Sequence, residues 1–168
     1  MGESLLCSPF VSSICLGANA ILTAATPSQK EALLPAIAEG ETIATLALSE
    51  AEGGWDPQSI ETTFEERGDG FVLNGTKRFV PDGHIADLLL VAARRAGTSG
   101  EDGMALFAVP ADTKNISRRR LSAMDQTRQQ AEIQLDGVDV PADAQLGGGS
   151  TNWAALSRGL DLAGVCLA

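Results

Sequence analysis

The chain has 168 residues, of which 44% are hydrophobic and 4% aromatic, and its formal net charge is −10. This length suggests one compact domain or one with short appendages, whose core is packed mainly by aliphatic side chains and alanine. The negative charge argues against nucleic-acid binding through phosphates and against adhesion to anionic lipid, because both need a basic surface.

Cysteine and histidine content bears on compartment and metal binding. The three cysteines, Cys7, Cys15 and Cys166, lack the spacing of a disulfide framework, which indicates reduced thiols and a cytoplasmic protein. The single histidine, His84, has no histidine partner, so no metal site is predicted. The apolar stretch from residue 10 to residue 25 is too short to span a membrane and lacks the basic start of a signal peptide.

Helices are predicted for residues 1–40, interpreted as the end of an N-terminal helical domain. Apolar side chains recur there at steps of three and four residues. This stripe comprises Phe10, Ile14, Ala18, Ile21, Leu22 and Ala25. A second helix is predicted to begin at Thr26, which forms a capping box with Gln29. Pro35 predicts a kink or split in that helix, and Gly40 its end.

Residues 41–147 show the pattern of short strands, and are interpreted as a middle β-barrel domain. Strands are predicted at about 42–49, 60–67, 71–73, 88–93, 104–109 and 133–140. Turns are predicted at Asp69-Gly70 and Asn74-Gly75, and a bulge or turn at Asp136-Gly137. Six or seven such strands predict a barrel or sandwich, so the predicted fold class is α+β.

Residues 148–168 are interpreted as the start of a C-terminal helical domain. A glycine-rich linker around residues 146–150 precedes a helix with a second apolar stripe. That stripe comprises Trp153, Leu156, Leu160, Ala163 and Leu167. Because nothing in the sequence is assigned to cover it, we expect the stripe to be exposed and the isolated chain to self-associate or to be marginally stable.

Two loops carry the candidate ligand site. In the first, a strand-like apolar run ends at Ser49 and gives way to acids, to Gly53-Gly54 and to Trp55. The second follows one predicted hairpin later, from Lys77 to His84. Glycines at a strand exit let the backbone approach a ligand or turn sharply, although such glycines more often mark an ordinary loop. Two loops at the ends of neighbouring strands are expected to form one side of a site.

The order of these elements and four motifs resemble the acyl-CoA dehydrogenase family over nearly the whole chain. The motifs are the helix at residues 29–41, the glycine-broken loop at 46–56, the Leu-Asn-Gly-Thr-Lys run at 73–77 with Phe-Val-Pro at 79–81, and the segment at 136–141 that ends in Val-Asp-Val-Pro. The resemblance implies part of an N-terminal helical domain, a whole middle β-domain and the opening of a C-terminal helical bundle.

The chemistry that the resemblance implies is FAD-dependent α,β-dehydrogenation of an acyl-CoA thioester. A carboxylate removes the α-proton while the β-hydrogen leaves as a hydride to flavin N5, and the electrons pass to an acceptor of the electron-transfer flavoprotein type. The family's catalytic glutamate lies in the C-terminal bundle, beyond this chain, so no catalytic residue is assigned here. The family also implies a homo-oligomer for the full-length protein.

The resemblance implies a set of contacts with flavin and substrate. The implied flavin contacts are Leu46, Leu48, Ser49, Gly54, Trp55, Phe79, Val80 and Pro81, and the implied substrate contacts are Trp55 and Arg95. Ser49 keeps the hydroxyl that the family places at the pyrimidine edge of the ring. Phe79 stands where a tryptophan often packs beside the ring. Trp55 and Pro81 depart from the usual serine and threonine, and proline brings neither an N–H nor a hydroxyl.

Two other interpretations remain open at this point. A related flavoprotein oxidase or monooxygenase would keep the fold and change the reaction. A non-catalytic β-barrel module that binds a ligand or partner is favoured slightly by the departures at Trp55 and Pro81.

Overall fold

The computed structural model describes residues 7–149 and 153–167. A π-helical segment, Val11–Ala18, continues directly into α1 (Asn19–Ala24), and α2 (Pro27–Ala38) and α3 (Trp153–Leu167) complete the helices. Within the described residues, no helix is both long and apolar enough to cross a membrane. The predicted domain boundaries at residues 40 and 147 stay predictions, and residues 1–6, 150–152 and 168 of the outer two segments lie outside the described part.

The start of α2 confirms the predicted capping box. The backbone N–H of Gln29 donates to the Thr26 hydroxyl at 3.3 Å, and the Gln29 side chain accepts from the Thr26 N–H at 3.0 Å. The helix runs through Pro35 as one element, so the predicted split is wrong. The carbonyl of Glu31 loses its helical donor to the proline, but Glu31 is exposed and water can take that place.

Seven strands form one mixed sheet that curls as a half-barrel, which confirms the predicted class of a β-rich middle region flanked by helices. The strands are β1 (Ala44–Ala47), β2 (Thr63–Arg67), β3 (Gly70–Pro81), β4 (Leu88–Arg95), β5 (Met104–Pro110), β6 (Ile116–Arg120) and β7 (Gln130–Pro141). Their order is β1-β4-β2-β3-β7-β6, and β5 pairs with the opposite edge of β4. β4 runs parallel to both β1 and β2.

The predicted turns have different outcomes. The predicted β2–β3 hairpin is present, but its turn is Gly68-Asp69, one residue before the predicted Asp69-Gly70, because Arg67 pairs with Gly70 at the start of β3. The bulge at Gly137 is also confirmed, because the β3–β7 register shifts between Leu73 and Asn74. The turn predicted at Asn74-Gly75 is wrong. β3 continues through both residues. The Asn74 side chain accepts from the Gly137 N–H at 2.8 Å and so provides a partner for the backbone donor at the bulge.

Gly75 is needed for packing rather than for a turn. A Cβ at this position would lie 2.5 Å from the Thr62 hydroxyl oxygen and 2.7 Å from the Thr62 Cα. Its φ of +150° is also one that side-chain-bearing residues rarely adopt. The glycine therefore lets the segment before β2 cross β3 at close range.

Two hydrophobic cores lie on the two faces of the sheet. One packs the N-terminal helices and α3 against β1, β4 and β5, and the other fills the inside of the curl around three mutually edge-packed rings, Phe64, Phe71 and Phe107. The first core buries Leu156 and Ala163 of α3. Much of the stripe that was expected to be exposed is therefore covered by the N-terminal helices. Leu162 and Val165, which are not part of that stripe, are exposed. The side chain of Leu167 lies outside the described part.

Candidate functional site

A cavity of about 300 Å³ lies where the loop after β1 meets the end of β3. Its lining residues are Leu16, Leu46, Leu48, Ser49, Gly53, Trp55, Phe79, Val80, Pro81, Gln130 and Leu160. The walls are therefore aliphatic and aromatic, with a hydroxyl and a carboxamide among them. Such a cavity suits a flat, largely apolar ligand with a few polar atoms, and its volume is at the lower end for small-molecule sites.

The first wall is the segment that follows β1. Leu48 and Ser49 are buried there, and the Ser49 hydroxyl has no hydrogen-bond partner among the described residues. Gly53 turns the chain with a φ of +75°, which brings Trp55 over the cavity with 59% of its surface exposed. A hydroxyl that lines a cavity and has no internal partner can pair with a ligand there.

The second wall is the irregular end of β3. The β3–β7 register shifts between Lys77 and Val80, and Phe79 adopts a φ of +57° inside this irregularity. A bulky side chain in the left-handed region costs about 1–2 kcal/mol, so the surrounding structure must hold Phe79 in place. The guanidinium of Arg78 lies 5.6 Å from the centre of the Phe79 ring. Phe79 itself is 42% exposed and lines the cavity, so part of its surface is accessible to a ligand there.

Direct hydrogen bonds join the two walls. The backbone N–H of Arg78 donates to the Ser49 carbonyl at 2.8 Å. The hydroxyl of Thr45, on β1, donates to the Pro81 carbonyl at 2.6 Å. The ends of β1 and β3 therefore form one frame around the cavity, although they are not neighbours in the sheet order.

A buried ion pair lies behind the first wall. The Lys77 ammonium is fully buried and donates to Glu50 Oε1 at 2.6 Å and to the Leu48 carbonyl at 3.0 Å. The same carboxylate accepts from the backbone N–H groups of Glu61 and Thr62, each at 2.9 Å. Three donors, namely one ammonium and two backbone N–H groups, therefore engage the Glu50 carboxylate.

Burial and charge act on both pKa values in this pair. Burial would raise the pKa of Glu50, but the charge and hydrogen bond of Lys77, helped by Thr62, hold it below its usual value. Burial lowers the pKa of Lys77 to about 8, and the charge of Glu50 opposes this while that of Arg94 adds to it. Both groups are charged at neutral pH.

The lowered pKa of Lys77 predicts a pH dependence of stability. Between about 8 and 10.5, the unfolded chain keeps a proton that the folded chain has released, so the free energy of unfolding rises with pH. We expect the wild type to gain stability relative to Lys77→Met across this range, measured by urea denaturation. A difference between the two proteins that stays constant from pH 8 to pH 10.5 would contradict the lowered pKa.

The comparisons with known proteins fit this geometry. Residues 45–138 match the family model described as the acyl-CoA dehydrogenase middle domain. The chain belongs to the acyl-CoA dehydrogenase family. The match begins in β1 and ends in β7, so it includes both walls of the cavity.

Individual acyl-CoA dehydrogenase relatives extend the likeness beyond the middle domain. A mitochondrial 2-methylacyl-CoA dehydrogenase of Solanum tuberosum is 30% identical over 94% of this chain and 38% of its own length. A glutaryl-CoA dehydrogenase of Mycobacterium smegmatis in complex with FADH2 is 28% identical, with a TM-score of 0.81 over 91% of this chain and 39% of its own. A prolyl acyl carrier protein oxidase is 30% identical, with a TM-score of 0.87 over 96% of this chain and 43% of its own.

The cavity brings together most of the residues assigned by resemblance to the flavin. Leu46, Leu48, Ser49, Trp55, Phe79, Val80 and Pro81 all line it. Gly54 does not. It packs against Ser59, where an added Cβ would lie 2.4 Å from the Ser59 Cβ. Its neighbour Gly53 lines the cavity instead, and the assigned contact of Gly54 with the cofactor stays a prediction.

Arg95 also lies outside the cavity lining. It ends β4, pairs with Glu66 at 2.8 Å and lies 5.5 Å from the centre of the Phe64 ring, with both charged side chains exposed. Its assigned contact with the CoA portion stays a prediction. The preceding residue, Arg94, is buried and is bound to backbone carbonyls.

Some residues at the site were missed from the sequence. Leu16, Leu160 and Gln130 come from the N-terminal helices, α3 and β7, and only the tertiary fold places them at the cavity. Behind the wall, the inward-facing position of Lys77 follows from its two-residue spacing to Leu73 and Gly75, but its pairing with Glu50 does not follow from the sequence. Among residues 7–149 and 153–167, no cluster of three metal-ligating side chains occurs.

Proposed function

We propose that this chain supplies the FAD-binding core of an enzyme that dehydrogenates an acyl-CoA thioester between its α and β carbons. The observation that supports this most is the cavity itself, which joins the two loops that the resemblance assigns to the flavin. The chain spans 38% of the potato relative and 39% of the mycobacterial one, so the activity is proposed for a whole protein of this kind.

The residues present fit a flavin ring. Aliphatic side chains and the open faces of Phe79 and Trp55 provide a flat apolar slot, and the unpaired Ser49 hydroxyl provides a donor at its edge. When bound, FAD would accept the β-hydrogen of the substrate as a hydride, while the α-proton would go to the catalytic base. A donor aimed at an edge that gains negative charge stabilises that charge, as an oxyanion hole does. Val80 and Pro81 would close the slot on the β3 side.

Glu50 is not a suitable catalytic base, although it lies next to the cavity wall. Its carboxylate is engaged by the Lys77 ammonium and by two backbone N–H groups. A general base must reach the proton that it removes and must be free to accept it. This supports the assignment of the base to a residue beyond this chain.

The proposed partners follow from the same reasoning. The substrate is an acyl-CoA, the electron acceptor is of the electron-transfer flavoprotein type, and the full-length protein is proposed to be a homo-oligomer. The exposed Leu162 and Val165 on α3 are apolar surface that a further helix or subunit could cover. Arg95 is proposed to contact CoA phosphate only if its ion pair with Glu66 opens, which an exposed pair does at little cost.

An oxidase is the second candidate function. The similarity in structure to a prolyl acyl carrier protein oxidase favours it, because that protein has the same fold and, by its name, another acyl carrier and another electron acceptor. Dioxygen consumption by the FAD-loaded full-length protein, measured with an acyl-CoA or an acyl carrier protein substrate, would separate the two reactions. The third reading, a non-catalytic module, predicts no flavin binding.

Titration with FAD tests the proposal in this chain. Trp55 lines the cavity, and the chain has one other tryptophan, so Trp153→Phe leaves Trp55 as the single fluorescent reporter. We expect FAD to quench Trp55 emission saturably and to lose its own fluorescence on binding, because the ring would lie beside the indole. The matched variant Trp55→Phe should keep the loss of flavin fluorescence. No saturable quenching of either signal would support the non-catalytic reading.

A further inference from the structure

The Lys77–Glu50 pair joins three parts of the chain that are far apart in sequence. Lys77 lies in β3, two residues before Phe79. Glu50 follows the cavity residue Ser49, and its carboxylate holds the segment that leads into β2 through the backbone N–H groups of residues 61 and 62. Neither Lys77 nor Glu50 lines the cavity. The pair therefore acts on the cavity only through the residues that it holds.

We propose that this buried pair is a positioning device for the cavity, which fixes the wall formed by Leu48 and Ser49 against the strand that carries Phe79. The ammonium binds the Leu48 carbonyl and the Glu50 carboxylate, so it holds the residues on both sides of Ser49. The free Ser49 hydroxyl is thereby kept at one place in the wall. The functional meaning of this device rests on the proposed function, since a fixed hydroxyl matters only to a bound ligand.

Packing alone does not account for a charged pair at this position. Moving two charges out of water is costly, and replacing a buried ion pair by uncharged side chains of similar size is often neutral or stabilising. The side chains of Lys77 and Glu50 are 0% and 9% exposed, so they incur this cost nearly in full. Uncharged side chains would not reproduce the two hydrogen bonds by which Lys77, on β3, holds both the Leu48 carbonyl and the Glu50 carboxylate.

Other contacts on the same wall are independent of the pair. The Arg78 N–H donates to the Ser49 carbonyl through the backbone, and that hydrogen bond can form whatever side chain stands at position 77. Arg94 adds a nearby positive charge that lowers the pKa of Lys77, but its guanidinium binds the carbonyls of Ile60, Thr98 and Gly100. The charged groups that act on Lys77 are therefore Glu50 and Arg94.

The test compares the wild type with the double variant Glu50→Gln/Lys77→Met. The glutamine keeps one oxygen that can accept from the backbone N–H of residue 61 or of residue 62, which donate to different oxygens of the Glu50 carboxylate, and its NH2 group cannot accept from the other. The methionine keeps the length of the side chain. Lys114→Met, on an exposed lysine, is the matched control. Amide hydrogen exchange of residues 48–53 is measured first without cofactor, and the dissociation constant of FAD is measured second.

We expect the double variant to fold, with exchange at residues 48–53 faster by about tenfold and FAD binding weaker by about tenfold, as the loss of hydrogen bonds to a charged group implies. Lys114→Met should match the wild type in both. Exchange or FAD affinity within twofold of wild type in the double variant would overturn the proposal. If the wild type binds no FAD, the proposed function fails, and exchange alone decides whether the pair fixes the wall. Should the double variant not fold, Glu50→Gln is measured in the same way.

Discussion

Lys77→Met is expected to lower the free energy of unfolding by about 3–5 kcal/mol, the usual cost of breaking a buried ion pair by removing one partner. The substitution removes the counter-charge of the Glu50 carboxylate, whose side chain is only 9% exposed. It also leaves the Leu48 carbonyl without the ammonium that donates to it. Urea denaturation at neutral pH measures the loss.

The double variant Glu50→Gln/Lys77→Met separates the charge from the packing. Because no uncompensated charge remains, we expect the loss to fall to about 1–2 kcal/mol, the cost of the missing hydrogen bonds. The free energies of unfolding of Lys77→Met, Glu50→Gln and the double variant, each relative to the wild type, form a double-mutant cycle. This cycle gives the coupling free energy between the two side chains. A single Lys77→Met variant as stable as the double variant would contradict the account of a charged pair.

Arg94→Met is expected to destabilise the chain by a similar amount, about 3–5 kcal/mol, because several buried carbonyls lose a charged donor at once. The guanidinium, 7% exposed, donates to the carbonyls of Pro57, Ile60, Thr98 and Gly100. Two of these belong to the turn that follows Trp55, so the rim of the cavity should loosen as well. Thermal and urea unfolding measure the first effect, and Trp55 fluorescence anisotropy in the Trp153→Phe background measures the second.

The neighbouring arginine provides the control for this prediction. Arg95 forms an exposed ion pair with Glu66, with side-chain exposures of 52% and 64%. Pairs of this kind contribute about 1 kcal/mol or less. We therefore expect Arg95→Met to leave stability nearly unchanged, and equal losses for the two arginine variants would contradict the structural difference between them.

Elements with local causes were predictable from the sequence. The start of α2 depends on Thr26 and Gln29, which lie three residues apart, and the β2–β3 turn, which was predicted one residue too late, depends on Gly68-Asp69. In both cases the residues that determine the structure are neighbours in the chain. The strands β4 and β5 were found because short continuous apolar runs are typical of buried strands.

Features that depend on residues far apart in the chain could not be predicted from the sequence. Asn74-Gly75 has the strongest local preference for a tight turn, yet β3 continues through it because β7 offers a bulge at Gly137 and a partner for the Asn74 side chain. The fully buried state of Lys77 depends on Glu50, 27 residues earlier in the chain. The resemblance brought the two loops to one site, but the ion pair behind them could be seen only in three dimensions.

A crystal structure of this chain with bound FAD would locate the flavin site. We expect the isoalloxazine ring to lie in the cavity between Ser49 and Phe79, with the Ser49 hydroxyl within hydrogen-bonding distance of a ring heteroatom. A flavin ring bound elsewhere, or a cavity closed by Trp55 and Phe79 when FAD is present at saturating concentration, would contradict this expectation.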